Sequence, residues 1–194
     1  SGGISKVETI GDGAFWFTGA LKKFFFKGSV KTLGAHAFRE SGLTCVHLKG
    51  DMTIGKEAFM KCASLKYVEF PATSSATQPL TYVAEGMFAD CTSLPFITLP
   101  STVTEIKTKA FDGCSSLKYV NILAASPATL GANAFPTTAG VYVKPSKLSA
   151  YQANAAWNIY SPKDTYEQTL ATKYASFDHD FPVSFVAKNG HEAL

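Results

Sequence analysis

Apolar residues recur along this chain in a fixed order at short, nearly regular intervals. The marker is the dipeptide Ala-Phe, once Met-Phe, at Phe15, Phe38, Phe59, Phe88, Phe111 and Phe135, spaced 23, 21, 29, 23 and 24 residues apart. Ahead of it stands an apolar-x-x-apolar segment: Val7 and Ile10, Val30 and Leu33, Leu80 and Val83, Val103 and Ile106. Copies three and six break this segment with Asp51 and Pro127. Behind the marker comes L-x-x-L-x-L, as in Leu43, Val46 and Leu48, or Leu94, Ile97 and Leu99. The sixth copy keeps only Val141 and Val143 of that half.

The last two apolar positions of L-x-x-L-x-L are two apart and share one face of a strand. One copy cannot bury that face, whereas stacked copies bury a continuous one. The pattern therefore predicts equivalent strands lying side by side in parallel, about 4.8 Å apart. The Ala-Phe stretches, with Gly11, Gly34, Gly55 and Gly131 close by, suit tight helical turns at the corners. Pro71 and Pro100 end strands, because proline cannot donate to a ladder.

The stretch Ile54-Gly55-Lys56-Glu57-Ala58-Phe59-Met60-Lys61-Cys62-Ala63-Ser64-Leu65, and its counterpart from Ile106 through Cys114-Ser115-Ser116-Leu117, resemble the BspA-type leucine-rich repeat of bacterial surface proteins. Copies one and two depart from that pattern, with Thr18 and Ser41 in place of the cysteine. The fold expected is a right-handed leucine-rich-repeat solenoid of stacked parallel β-strands with short helical or 3-10 turns. Six repeats over about 4–145 and a helical cap at 146–160 would complete it, with Tyr151 and Trp157 as plugs. Residues 161–194 read as a tail or the start of a further module, with a strand-like stretch at Phe181–Val186 before Asn189-Gly190. The small-residue insert Ala72–Pro79 reads as a surface loop. The resemblance implies an exported bacterial protein of adhesive or host-interacting type and supplies no catalytic residue.

Composition narrows the function classes. A hydrophobic content of 46% with 17% charged residues argues against disorder. The net charge is only +3 and Arg39 is the sole arginine, so no clustered basic face for nucleic acid is expected. No apolar run of about 18 residues would span a membrane, and no signal peptide is recognisable in these residues. His36, His47, His179 and His191 belong to no nucleophile or zinc motif, so no enzyme and no cofactor are expected. Cys62, Cys91 and Cys114 hold one place in consecutive copies, at spacings unlike a metal site. Neighbouring thiols could pair, but a buried column of small side chains is the plainer expectation. Cys45 alone falls outside the core.

On the strands, the third and fifth letters of L-x-x-L-x-L point outward together. The third column is Lys23, Cys45, Tyr67, Phe96 and Tyr119; the fifth is Phe25, His47, Glu69, Thr98 and Asn121, continued by Tyr142. Tyr67, Phe96 and Tyr119 then form an outward aromatic patch, the kind of surface that marks an interaction site. With Lys23, Phe25, His47, Glu69, Asn121 and Tyr142 they make the candidate binding face of a cell-surface module for a protein or glycan. A structural spacer and a carbohydrate-binding module are the alternatives. The rings could also be covered by the tail or the insert, or stack merely to stiffen the sheet.

Overall fold

The computed structural model describes residues 7–26, 29–71 and 79–164. The insert, apart from Pro79, and the tail beyond residue 164 lie outside the described residues. Each copy after the first contributes two short strands and a corner, and copy one contributes one strand and a corner. The first-half strands are β1 (Thr9–Ile10), β2 (Thr32–Leu33), β4 (Thr53–Ile54), β6 (Tyr82–Val83), β8 (Glu105–Ile106) and β10 (Thr129–Leu130). The second-half strands are β3 (Cys45–His47), β5 (Tyr67–Glu69), β7 (Phe96–Leu99), β9 (Tyr119–Ile122) and β11 (Gly140–Val143). All pairings are parallel, in the orders β1-β2-β4, β6-β8-β10, β3-β5 and β7-β9-β11. The copy-one segment Leu21–Phe26 forms no regular strand, although Thr44 donates to the Lys22 carbonyl and keeps it alongside β3.

The expected helical turns at the corners are instead tight non-helical turns. Each brackets its phenylalanine with a left-handed residue two positions before and another two after. These are Gly13 and Phe17, His36 and Glu40, Glu57 and Lys61, Gly86 and Asp90, and Lys109 and Gly113, with Asn133 opening the sixth corner. Left-handed backbone costs a residue with a side chain roughly 1–2 kcal/mol, so something must hold these turns. Three amides per corner do so by donating forward to the next copy. His36, Phe38 and Glu40 donate to the carbonyls of Lys56, Ala58 and Met60 at 3.0, 2.8 and 2.9 Å. The same trio repeats at each interface up to the last, where Lys109 and Phe111 donate to Ala132 and Ala134.

Inside this ladder the phenylalanine rings stack face to face. Centroids are 4.8, 5.5, 5.4, 5.4 and 5.2 Å apart from Phe15 to Phe135, with interplanar angles between 8° and 14°. From Phe38 through Phe111 the rings are fully buried. The cysteine column packs beside them as free thiols. Cys62, Cys91 and Cys114 donate to the carbonyls of Phe38, Phe59 and Phe88 at 3.1, 3.2 and 3.0 Å. Thr18 donates at 2.6 Å to the Phe15 carbonyl, which accounts for a hydroxyl where later copies carry sulfur.

Where the leading apolar position fails, a neighbour takes its place in the core: Met52 beside Asp51, and Ala128 beside Pro127. Close approach selects glycine at Gly55, where a Cβ would lie 2.5 Å from the Ala35 amide nitrogen. Both strand ladders break between copies three and four, flanking the insert. There the Tyr82 hydroxyl accepts from the Ile54 amide at 2.9 Å and donates to its carbonyl at 3.2 Å, standing in for strand pairing. The corner ladder runs across this break unchanged, from Glu57, Phe59 and Lys61 to Glu85, Met87 and Ala89.

The C-terminal end is closed as expected, by a 3-10 turn (Pro145–Lys147), α1 (Leu148–Ala153) and α2 (Ala155–Asn158). Tyr151 and Trp157 are fully buried, and their polar atoms reach carbonyls. The Trp157 indole donates to Ala128 at 2.8 Å, and the Tyr151 hydroxyl contacts the Ala124 and Ser126 carbonyls. Tyr160, which the sequence reading did not name, sets its ring edge-on against Phe135 at 5.8 Å. At the other end Phe24 and Phe26 of copy one pack on Phe38 together with Phe15, while Trp16, Phe17 and Phe25 stay exposed.

A mid-stack Phe88→Ala change should cost about 3–5 kcal/mol, the usual loss for a buried phenylalanine. Phe15→Ala, at the half-buried end of the stack, should cost clearly less. Denaturant unfolding of the two variants checks the order; equal losses would mean that the stack is not the source.

Candidate binding face

The second-half strands place the candidate residues. Register aligns Cys45 with Tyr67 and His47 with Glu69; it aligns Phe96 with Tyr119, and Thr98 with Asn121 and Tyr142. Several neighbouring rings on these strands meet. His47 and Tyr67 lie 6.0 Å apart, Tyr67 and Phe96 meet edge-on at 6.0 Å, and Tyr119 and Tyr142 lie 5.9 Å apart. Tyr67, Phe96, Tyr119 and Tyr142 are half-buried, as are His47 and Glu69, whereas Lys23 and Phe25 are exposed. Copy six places Gly140 opposite Tyr119. A Cβ there would stand 3.0 Å from the Tyr142 ring, so the missing side chain makes room for that ring.

Two outward expectations need correction. Asn121 is buried, only 4% exposed. It is a short side chain on the middle strand of a three-stranded ladder, flanked in register by Thr98 and Tyr142, so it sits below its neighbours. Cys45 is buried too, at 6%. It nevertheless stays out of the main core cluster that contains the other three cysteines, as its outward register requires.

The register also turns two neighbouring entries of the fifth column into a pair. His47 Nδ1 lies 2.9 Å from a Glu69 carboxylate oxygen, across two neighbouring strands. Burial by itself would lower the His47 pKa, but hydrogen bonds to Cys45 and Glu69 outweigh it and raise the value to about 9. A second charged cluster, unforeseen from the sequence, edges the corners of copies one to three. Arg39 bonds Glu57 at 2.6 Å and lies 5.3 Å over the Trp16 ring. At the C-terminal end of the strand face a groove of about 520 Å³ is lined by Tyr119, Tyr142, Lys118 and Lys163 among others. Lys163 continues the sheet beyond β11, exchanging backbone hydrogen bonds of 2.9 Å with Val141 and Val143.

Stacked two-strand turns with an apolar ladder inside define a leucine-rich-repeat solenoid. The chain belongs to the BspA type leucine rich repeat family, whose pattern matches residues 4–78 and 53–155 in six copies. Among solved structures, it is similar to a leucine-rich repeat protein from Bacteroides ovatus, at 22% identity and a TM-score of 0.51. That match covers 71% of this chain and 47% of the other. A leucine rich cell surface protein from Faecalibacterium prausnitzii matches at 24% identity with a TM-score of 0.45, covering 73% of this chain and 30% of the other. The chain thus spans less than half the length of either. No curated protein matches it. Among the described residues no helix is long and apolar enough to cross a membrane.

The His47–Glu69 pair carries a pH signature. A histidine whose folded pKa is raised to about 9 from 6.5 adds stability that is full below pH 6.5 and is lost as pH rises through 9. Unfolding free energy should therefore fall between pH 6.5 and 9 in the parent protein. The fall should be shallower in Glu69→Gln, and denaturant titrations at the two pH values compare the slopes.

Proposed function

We propose that this chain is a binding module of a bacterial cell-surface protein, engaging a protein or glycan partner through the outward strand face. The observation that carries the reading is the aromatic column of Tyr67, Phe96 and Tyr119, met at its end by the Tyr142 ring of the neighbouring column and flanked by Lys23, Phe25, His47 and Glu69. Aromatic side chains supply large contact area at low entropy cost and are enriched at interfaces. The apolar and glycine positions of the repeats are spent on the core and corners, so variation is left to this face, and the role is binding rather than catalysis. Within this reading, the groove between Tyr119 and Tyr142 with Lys118 and Lys163 beside it favours an anionic glycan as one partner class. The spacer alternative draws on a different observation, the uninterrupted corner ladder, which makes a stiff rod.

Replacing Tyr67, Phe96 and Tyr119 together by serine tests the first reading. Binding to host cells, matrix proteins or a glycan array should fall at least tenfold while circular dichroism and the unfolding midpoint show a folded protein. Retained binding by the folded triple variant would leave the spacer reading standing. Loss confined to acidic glycans on the array would single out the groove.

A further inference from the structure

We infer that the groove at the C-terminal end of the strand face is a site for one acidic sugar ring, with its anionic group held by Lys118 and Lys163 and its apolar face against Tyr142. The inference rests on the binding role proposed above and narrows it to one subsite with a ligand of its own. The groove lies where the outward column changes at copy six. Register carries Phe96 to Tyr119 and then to Gly140, so a column of rings ends at a residue with no side chain. Tyr142, two residues on, shares the outward face, and its ring reaches back over that position. A Cβ on Gly140 would stand 3.0 Å from the ring carbon Cε2 and 3.1 Å from the hydroxyl. The Tyr119 and Tyr142 rings lie 5.9 Å apart, tilted by 35°. The groove that they border measures about 520 Å³. Small-molecule sites run from about 300 to 1,000 Å³, so it suits a small ligand or the end of a longer chain.

Charge and hydroxyl chemistry set the ligand class. Lys118 and Lys163 both line the groove, and no residue lining it is acidic. Both lysines are exposed, and they come from different strands. Lys118 stands just before β9, and Lys163 pairs with Tyr142 on the side of β11 away from β9. The salt bridges among the described residues run through His36, Arg39, His47 and Lys107 and involve neither lysine. Two ammonium groups on one groove with no carboxylate beside them favour an anion. The tyrosines add apolar ring faces that end in hydroxyls, and Ser115 and Thr138 add two more hydroxyl side chains. An apolar C–H face, several hydroxyls and one anionic substituent together describe a pyranose that carries a carboxylate or a sulfate ester. A bare inorganic anion would use the lysines without the rings, and a neutral sugar the rings without the lysines.

The test is calorimetric titration of the intact chain with three probes: a galacturonate trimer, its methyl ester, and a galactose trimer carrying sulfate esters. At least one anionic trimer should bind about tenfold more tightly than the methyl ester, the scale of one hydrogen bond to a charged group, and the tighter of the two identifies the anionic substituent. Lys118→Gln and Lys163→Gln should each weaken that binding by a similar factor. Gly140→Ala, which keeps both lysines, should weaken it by displacing the Tyr142 ring. A Tyr67→Ser, Phe96→Ser double variant, altered outside the groove, should bind the trimer as the parent does. Equal binding of the methyl ester, or unchanged binding in the folded lysine or Gly140 variants, would overturn the inference. A chain that attaches to cells or matrix proteins but takes up neither anionic trimer overturns this inference alone. One that takes up the trimer but binds no cell, matrix protein or arrayed glycan overturns the wider role alone.

Discussion

Everything in this molecule hangs on the register of one residue per copy, the phenylalanine at the corner. Its ring stacks on the rings above and below, and its own amide donates to the next copy, as from Phe59 to Met87 at 2.9 Å. Ring stacking sets the spacing and the amide sets the direction, so each copy is located against its neighbour by two interactions at a single residue. A favourable aromatic pair adds about 0.5–1.5 kcal/mol beyond burial. The forward hydrogen bonds offset the strain of left-handed residues such as His36, Glu57 and Lys109. Such residues persist only where the surroundings over-determine them, and the bonds on either side of the phenylalanine do that here.

The strands are subordinate to the corner. Both strand ladders stop between copies three and four, yet the corner ladder crosses that interface with all three bonds, and Phe59 stacks on Phe88 at 5.4 Å. An interval of 29 residues is tolerated because the extra length falls after the second strand, away from the corner. This division of labour leaves the outward strand positions outside the corner stack. Tyr67, Phe96, Tyr119 and Tyr142 can therefore differ from copy to copy without disturbing the stack, which is the condition for a face that recognises something.

Recurrence made the period, the stacked phenylalanines, the cysteine column and the plugs Tyr151 and Trp157 legible, because each meets the same neighbour in every copy or closes the last one. The corner conformation was not legible. Left-handed positions are usually announced by glycine or asparagine, and only Gly13, Gly86, Gly113 and Asn133 announce them here. His36, Glu57 and Lys109 carry no such mark, since the demand comes from hydrogen bonds to another copy. Alternation says which way Asn121 and Cys45 point but not how far their neighbours rise above them. The pairing of His47 with Glu69 was present in the aligned columns as adjacent entries of opposite charge character, and became an interaction once register placed the two strands side by side.

The corner ladder also has a polarity, and it makes the two ends of the solenoid chemically unlike. From copy one to copy five, the corner amides that reach the next copy all donate toward the C-terminal end, from Phe15 to Ala37 and onward to Phe111 and Ala134. More of the same at the C-terminal end would require a seventh corner carrying carbonyls in the same register. The chain closes that end with a different surface: Trp157 and Tyr160 against the last stacked ring, Phe135, with the Trp157 and Tyr151 donors turned to strand-side carbonyls. A cap built this way ends the stack without offering a new ladder, which blocks end-to-end growth of the kind that open β edges invite. Among the described residues of copy one, Phe15, Phe24 and Phe26 crowd around Phe38. Trp16, Phe17 and Phe25 of the same copy are exposed. Their setting is distinct from that of the half-buried rings between Tyr67 and Tyr142, where neighbours stand on both sides, and the two groups of aromatics have separate physical origins.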